Sequence, residues 1–332
     1  MTYSSGGLIE ATDYNTFAGN TTAGLNRVWS TGSGDAGWGQ TNIATVAAAG
    51  TVTATQWATL VNSLGSSGSQ TNSTLTSRTA PVAGNTISIL ANVSTDITTV
   101  TTNRGNATAV GTEYGVFSGT TSKTTATGSG QAAWTITFTH TITFPSADQA
   151  RYFWNAGGRV RLQYGKSSTG TDVDPDWNTL AGWCGSIYIS GRVNSNSQTI
   201  AGTTYTGTTR IGGTGGTQTT LATTTGWYQL TGTPATVFQL NNSTAPYTGE
   251  FIRTTATQTS TTVLTLVTTW VSDGSGGGAG TSANISGGTA VASPATSIGA
   301  ATAPTTLVTY IPPSTTYLTN SWGTPTIAAS VA

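Results

Sequence analysis

The chain has 332 residues, enough for two or three domains, yet its formal net charge is zero and only 7% of it is charged, against a usual share of roughly 25%. Such a surface lacks the cations that neutralise phosphates, which excludes a nucleic-acid partner, and it holds copies apart by no charge repulsion, which permits self-association. A single cysteine, Cys184, excludes an intrachain disulfide framework, and the chain has no apolar run of the roughly 20 residues that a membrane span needs.

Threonine is the commonest residue and glycine numbers 43, a combination that favours strands joined by long polar connections. Ten Trp, eleven Tyr and seven Phe supply the anchors that a disordered chain would lack. Met1 to Ser5 carry neither the basic segment nor the apolar run of a secretory signal, which predicts synthesis in a cytoplasm.

The first feature along the chain is an internal echo. Gly7 to Phe17 aligns without a gap on Gly50 to Leu60, each copy giving Gly, an aliphatic residue, Ala-Thr, an aromatic residue and an apolar residue three further on. In the second copy Trp57, Leu60, Val61 and Leu64 fall on one face of a helix capped by Thr53 or Thr55. Two copies are too few for a solenoid, so the echo reads as a duplicated small docking element. Between the copies, the glycine-rich run from Thr31 to Gln40 lacks the Lys-Ser/Thr of a phosphate loop and predicts a tight turn that packs Trp38.

From Thr86 to Asn103 the residues Leu90, Val93, Ile97 and Val100 are spaced three, four and three. That is the spacing of a coiled-coil seam, and its β-branched residues lean toward three strands; an ordinary amphipathic helix packed within one chain fits the same spacing. Residues 105 to 130, rich in Gly, Thr and Ala, read as a linker or open loop.

Between Trp134 and Phe144 apolar residues and His140 occupy the even positions and threonines the odd ones, which predicts a strand with one buried and one hydroxyl-bearing face. Pro145 ends it, and Ser146 with Gln149 matches a capping box opening a helix at Ala147. That helix carries Ala150, Phe153 and Trp154 toward the sheet and ends at Asn155, Gly157 and Gly158. Val160, Leu162 and Tyr164 share one face of a second strand. Asp174-Pro175 then reads as a cap and first position of another helix, with Trp177, Leu180 and Ala181 on one side and Gly182 as its stop. Ile187 and Ile189 mark a third strand, and Cys184 before it reads as a small core residue. Strand-like runs follow at Trp227–Leu230, Thr236–Leu240, Phe251–Thr255, Thr262–Val271 and Leu307–Ile311, the last closed by Pro312-Pro313. Residues 273 to 305 read as a long surface loop. The fold class is mainly β with a small α-helical N-terminal region, its central β-α-β-α-β unit leading into an antiparallel sheet or sandwich.

Chemistry-bearing residues are few. His140 is the sole histidine and its parity places it on the apolar face, as a core or interface residue. Asp172, Asp174 and Asp176 alternate like the start of a calcium loop, but Trp177 and Trp183 stand where that loop needs Gly and Glu. Gly165-Lys166-Ser167 lacks the earlier glycine of a phosphate loop, since Val160 stands there. No catalytic, cofactor-binding or metal-binding residue is therefore assigned, no cofactor is expected, and the protein is expected not to be an enzyme.

The stretch from Phe144 through Pro-Ser-Ala-Asp-Gln-Ala-Arg-Tyr-Phe-Trp-Asn-Ala-Gly-Gly to Arg159-Val-Arg-Leu162, followed by Trp177 and Gly185 to Ile189, resembles a motif of virion structural proteins of tailed bacteriophages, especially those of cyanobacterial and marine hosts. The duplicated Ala-Thr-aromatic element and Gly34-Asp-Ala-Gly-Trp-Gly-Gln40 also resemble N-terminal regions of such proteins. The resemblance covers about half the chain, mainly 7 to 64 and 134 to 190. It implies a tail, baseplate or tail-fibre protein, located in the virion after synthesis in the host cytoplasm and assembled as a symmetric homo-oligomer. Combined with the heptad spacing it favours a trimer, with residues 1–104 as a helical docking and oligomerisation region that meets other virion proteins, 105–130 as a linker, and 131–332 as a β-rich body. One alternative is a receptor adhesin at the fibre tip, with Trp227, Tyr228 or Trp270 stacking on host-surface glycans; another is a glycosidase using two carboxylates.

Overall fold

The computed structural model describes residues 11–84, 92–114, 134–166, 173–193, 196–245, 247–272 and 304–332. Helix α1 (Ala11–Ala18) is followed by a single turn, α2 (Asn26–Trp29), and then by the long α3 (Ala54–Thr71). Thr53 caps α3: its Oγ1 accepts the Gln56 amide at 3.3 Å while Gln56 Oε1 accepts the Thr53 amide at 2.8 Å, so two otherwise orphaned donors are satisfied reciprocally. Trp57, Leu60, Val61 and Leu64 are all buried. The described parts of the two copies pack on each other, for Tyr14 and Trp57, equivalent positions of the echo, meet edge to face at 5.2 Å. Residues 7–10 of the first copy lie outside the described residues.

The helix expected from Thr86 appears as α4 (Val93–Asn103), and Leu90 lies outside the described residues. Val93, Ile97 and Val100 are no more than 1% exposed, against α1 and α3. The three described residues of the seam with coiled-coil spacing are therefore consumed within the chain.

The alternation of Thr with apolar residues makes β1 (Trp134–Thr143) a strand of two unlike faces: Ile136, Phe138, His140 and Ile142 are buried, whereas the threonines are half-buried or exposed. Helix α5 (Ala147–Asn155) starts where expected, with Ser146 Oγ accepting the Gln149 amide at 3.2 Å. Strand β2 (Arg159–Gly165) buries Val160, Leu162 and Tyr164 as its alternation predicts. Helix α6 (Val173–Cys184) departs from expectation at both ends. It already includes Asp174 and Pro175, because a proline is tolerated anywhere in a first turn whose amides lack partners. It also passes through Gly182, an exposed position, and stops where Gly185 adopts φ +64°, the left-handed conformation that ends helices.

Beyond β3 (Ser186–Ser190) come β4 (Gln198–Ile200), β5 (Thr203–Tyr205), β6 (Thr208–Ile211) and β7 (Thr217–Leu221), none of them anticipated. The run at Trp227 is a turn of 3-10 helix, Trp227–Gln229, and no strand. Strands β8 (Ala235–Asn241) and β10 (Val263–Ser272) follow close to the expected bounds, β9 (Phe251–Ser260) runs on past Thr255, β11 (Thr305–Ile311) begins before Leu307, and β12 (Thr326–Val331) is an addition.

All strand pairs are antiparallel, in a six-stranded sheet ordered β12-β1-β10-β9-β8-β7, a four-stranded sheet ordered β11-β2-β3-β6 and the hairpin β4-β5. The central β-α-β-α-β unit is thus divided, with β1 in the larger sheet and β2 and β3 paired in the smaller. Their inner faces meet: Tyr164 of β2 stacks on Phe238 of β8 at 6.0 Å and meets Trp270 of β10 at 6.4 Å. The Tyr164 hydroxyl pairs with Thr254 Oγ1 at 2.8 Å, which pairs in turn with Thr268 Oγ1 at 2.8 Å. Trp177 of α6 packs against Trp270 at 5.7 Å. One hydrophobic cluster joins this sandwich to α1, α3 and α4.

Candidate functional site

The glycine-rich segment 31–40 is a hub of the fold. Gly32, Gly34, Gly37 and Gly39 all have positive φ, the conformation that glycine adopts without steric cost, and the resulting turns expose backbone carbonyls to distant partners. Arg104 reaches Asp35 through Nη2 to Oδ1 at 2.9 Å and Nε to the backbone oxygen at 3.0 Å. Arg151 donates to Ala36 O at 2.8 Å and to Thr31 O, and Asn155 Nδ2 donates to Gly37 O at 3.1 Å. Trp38 is fully buried, its Nε1 shared between the carbonyls of Arg104 and Asn155, each at 3.2 Å. Gln40 holds Thr319 through Nε2 to the carbonyl at 3.0 Å and receives its amide at 2.8 Å. The turn does pack Trp38, and its polar groups are spent on holding α5, the end of α4 and the C-terminal segment together.

The residues singled out from sequence do not converge. His140 is 1% exposed, between Leu266 of β10 and Ala329 of β12; burial lowers its pKa to about 4, partly opposed by a backbone hydrogen bond with Thr306. Cys184 is fully buried at the end of α6, and desolvation pushes its thiol far above the usual range, which makes it inert. Asp172 and Ser167, and the side chain of Asp174, lie outside the described residues; Asp176 is half-buried and its carboxyl is raised by desolvation. Lys166 is buried. Among the described residues no group of three His, Cys, Asp or Glu side chains converges.

Arginines that no binding motif marks carry the ionic chemistry. Arg161 on the outward side of β2 grips Glu113 with both ends of its guanidinium, at 2.7 and 3.1 Å, a bidentate geometry that fixes orientation. Beside it Arg159 donates to the Tyr205 hydroxyl at 2.5 Å and lies 4.7 Å over that ring. Asp96 pairs with Arg78 at 2.5 Å with both side chains buried, and Asp148 pairs with Arg151 at 2.8 Å.

Trp227 and Trp270 are 3% and 0% exposed. Trp227 stacks on Trp154 at 5.4 Å, and half-buried Tyr228 donates its hydroxyl to Asn155 Oδ1 at 2.6 Å. Neither tryptophan can stack on a sugar.

Three surface features remain. The first is the outer face of the six-stranded sheet, where Thr141, Thr265 and Thr257 lie side by side across β1, β10 and β9, with Thr139, Val267 and Thr255 in the next row. The second is a cavity of about 510 Å³ beyond the end of α3, bordered by Arg78, Asn72 and Tyr317. The third, of about 360 Å³, lies between residues 110–114, the end of β11 and residues 320–324. Comparison of the chain with models of protein families, with curated proteins and with solved structures finds no match.

Proposed function

We propose that this chain is a structural subunit of a tailed-bacteriophage virion, a tail, baseplate or tail-fibre protein that assembles with copies of itself. The observation that carries the self-assembly is the outer face of the six-stranded sheet, a regular array of threonines with Arg253 as the one charged residue along β1, β9 and β10. Hydroxyl and methyl groups in register can form an interface with little electrostatic cost to desolvate. Four of the described carboxylates, Asp35, Asp96, Glu113 and Asp148, are held by arginines, and the buried Glu250 accepts from Ser272 Oγ at 3.3 Å, which favours a scaffold over acid-base chemistry. The virion assignment rests on the resemblance of residues 7–64 and 134–190.

Because the heptad face of α4 is used inside the chain, the outer sheet takes its place as the proposed interface of a closed, symmetric oligomer. Light scattering of the full chain on a sizing column should give a defined oligomer that the double variant Thr139→Lys/Thr265→Lys converts to monomer with unchanged circular dichroism. A monomeric wild-type chain would remove the self-assembly reading. Antibody raised against the chain should decorate tails of particles in negative stain, and unlabelled particles would remove the virion reading.

A further inference from the structure

We propose that the cavity between Tyr114, Pro312 and Asn320 is a binding site for a neutral saccharide. Tyr114 is 47% exposed, an unusual place for a large aromatic ring in a chain that buries most of its tryptophans. One face of that ring is stacked on Tyr310 at 5.4 Å and 20°, which leaves the opposite face as the one that a ligand in the cavity would meet. The backbone beneath is fixed, since Tyr114 and Tyr310 exchange both amide hydrogen bonds at 2.9 Å and Gly111 N donates to Pro312 O at 3.0 Å. A flat ring held in place before the ligand arrives loses little conformational freedom on binding.

The lining selects the ligand class. None of the residues around the cavity is charged, which disfavours phosphates, sialylated sugars and other anions. Asn320 Oδ1 accepts the Gly323 amide at 3.0 Å, which leaves Nδ2 as the donor that this lining residue offers, and Thr112, Thr315 and Thr324 add hydroxyls. An aromatic ring that shares an uncharged cavity with an amide and several hydroxyls suits the apolar face and hydroxyl rim of a pyranose. An extended peptide is excluded as a strand addition here, because the β11 edge is already taken by the bridges Tyr114↔Tyr310 and Val110↔Pro313. The cavity, at about 360 Å³, is on the scale of a small-ligand site.

The test is saturation-transfer NMR of the full chain with the methyl glycosides of glucose, galactose and mannose, and with maltose, using 3′-sialyllactose and inorganic phosphate as anionic controls. At least one neutral sugar should receive saturation. Tyr114→Ala should weaken it roughly fivefold to tenfold, the scale of one aromatic contact, and Tyr114→Phe should retain it. Asn320→Ala, an exposed position, provides a second loss if the tyrosine variant is poorly folded. No transfer to any neutral sugar overturns the proposal. Transfer that survives both Tyr114→Ala and Asn320→Ala, or that is stronger for sialyllactose, overturns it as well.

Discussion

The two faces of the six-stranded sheet are made by the same strands and differ in every physical respect. Inside, Phe138, His140, Leu266 and Trp270 are essentially without solvent contact, and the polar groups among them are paired: Thr254 with Thr268 and Tyr164, His140 with the Thr306 backbone. Outside, half-buried threonines and valines stand in register with solvent as their neighbour. The inner face carries stability because removing atoms there leaves a void. The outer face contributes little to the fold of one chain, and its regularity is available for association.

The sharpest way to break this comparison is to exchange a ring for a methyl group inside. Phe138→Ala should cost about 3–5 kcal/mol, measured as a fall in the urea midpoint with little change in slope. A result below about 1 kcal/mol would mean that the inner face is not tightly packed.

His140 gives a proton-dependent version of the same test. Its folded pKa is lowered to about 4 by burial, whereas in the unfolded chain it titrates near its ordinary value of about 6.5. The unfolded state therefore takes up a proton first as pH falls, so this stabilisation is complete above about pH 6.5 and is lost between there and about pH 4. The loss is on the order of 3 kcal/mol. Since the chain has one histidine, the difference between wild type and His140→Gln isolates it from the carboxylates. A parallel pair of stability-versus-pH curves would refute the buried, neutral imidazole.

The smallest expected effect sharpens the comparison from the outer side. Thr139→Val should change chain stability by no more than about 0.5 kcal/mol, in contrast to the disruption of assembly expected from lysines on the same rows. If Thr139→Val destabilised the monomer by several times that, the outer face would belong to the core.

Legibility followed the range of the interactions. The even-odd pattern of β1, the Ser146 cap of α5 and the Thr53 cap of α3 are written within a few residues, so they could be read directly. Strands β4 to β7 escaped because they are three to five residues long, too short to show a period, and β5, β6 and β7 also carry threonine at successive positions, which erases the period of two. The segment 31–40 was legible as a turn around Trp38, but not as a hub, for its partners Arg104, Arg151 and Asn155 lie 66 to 120 positions away from the residues they hold. The cavity at Tyr114 had no signal at all, since the ring is made a platform only by Tyr310.

The sequence by itself determined which residues alternate, where the capped helices α3 and α5 begin, and that the chain would be β-rich, because propensity, capping and periodicity act over one strand or one turn. Only the tertiary structure decided that β1 and β2 enter different sheets, that the heptad face of α4 closes within the chain, and that Tyr114 remains open while Trp227 and Trp270 are buried. Those outcomes depend on which surfaces compete for burial against one another, and that competition is settled only when segments far apart in the chain are packed together.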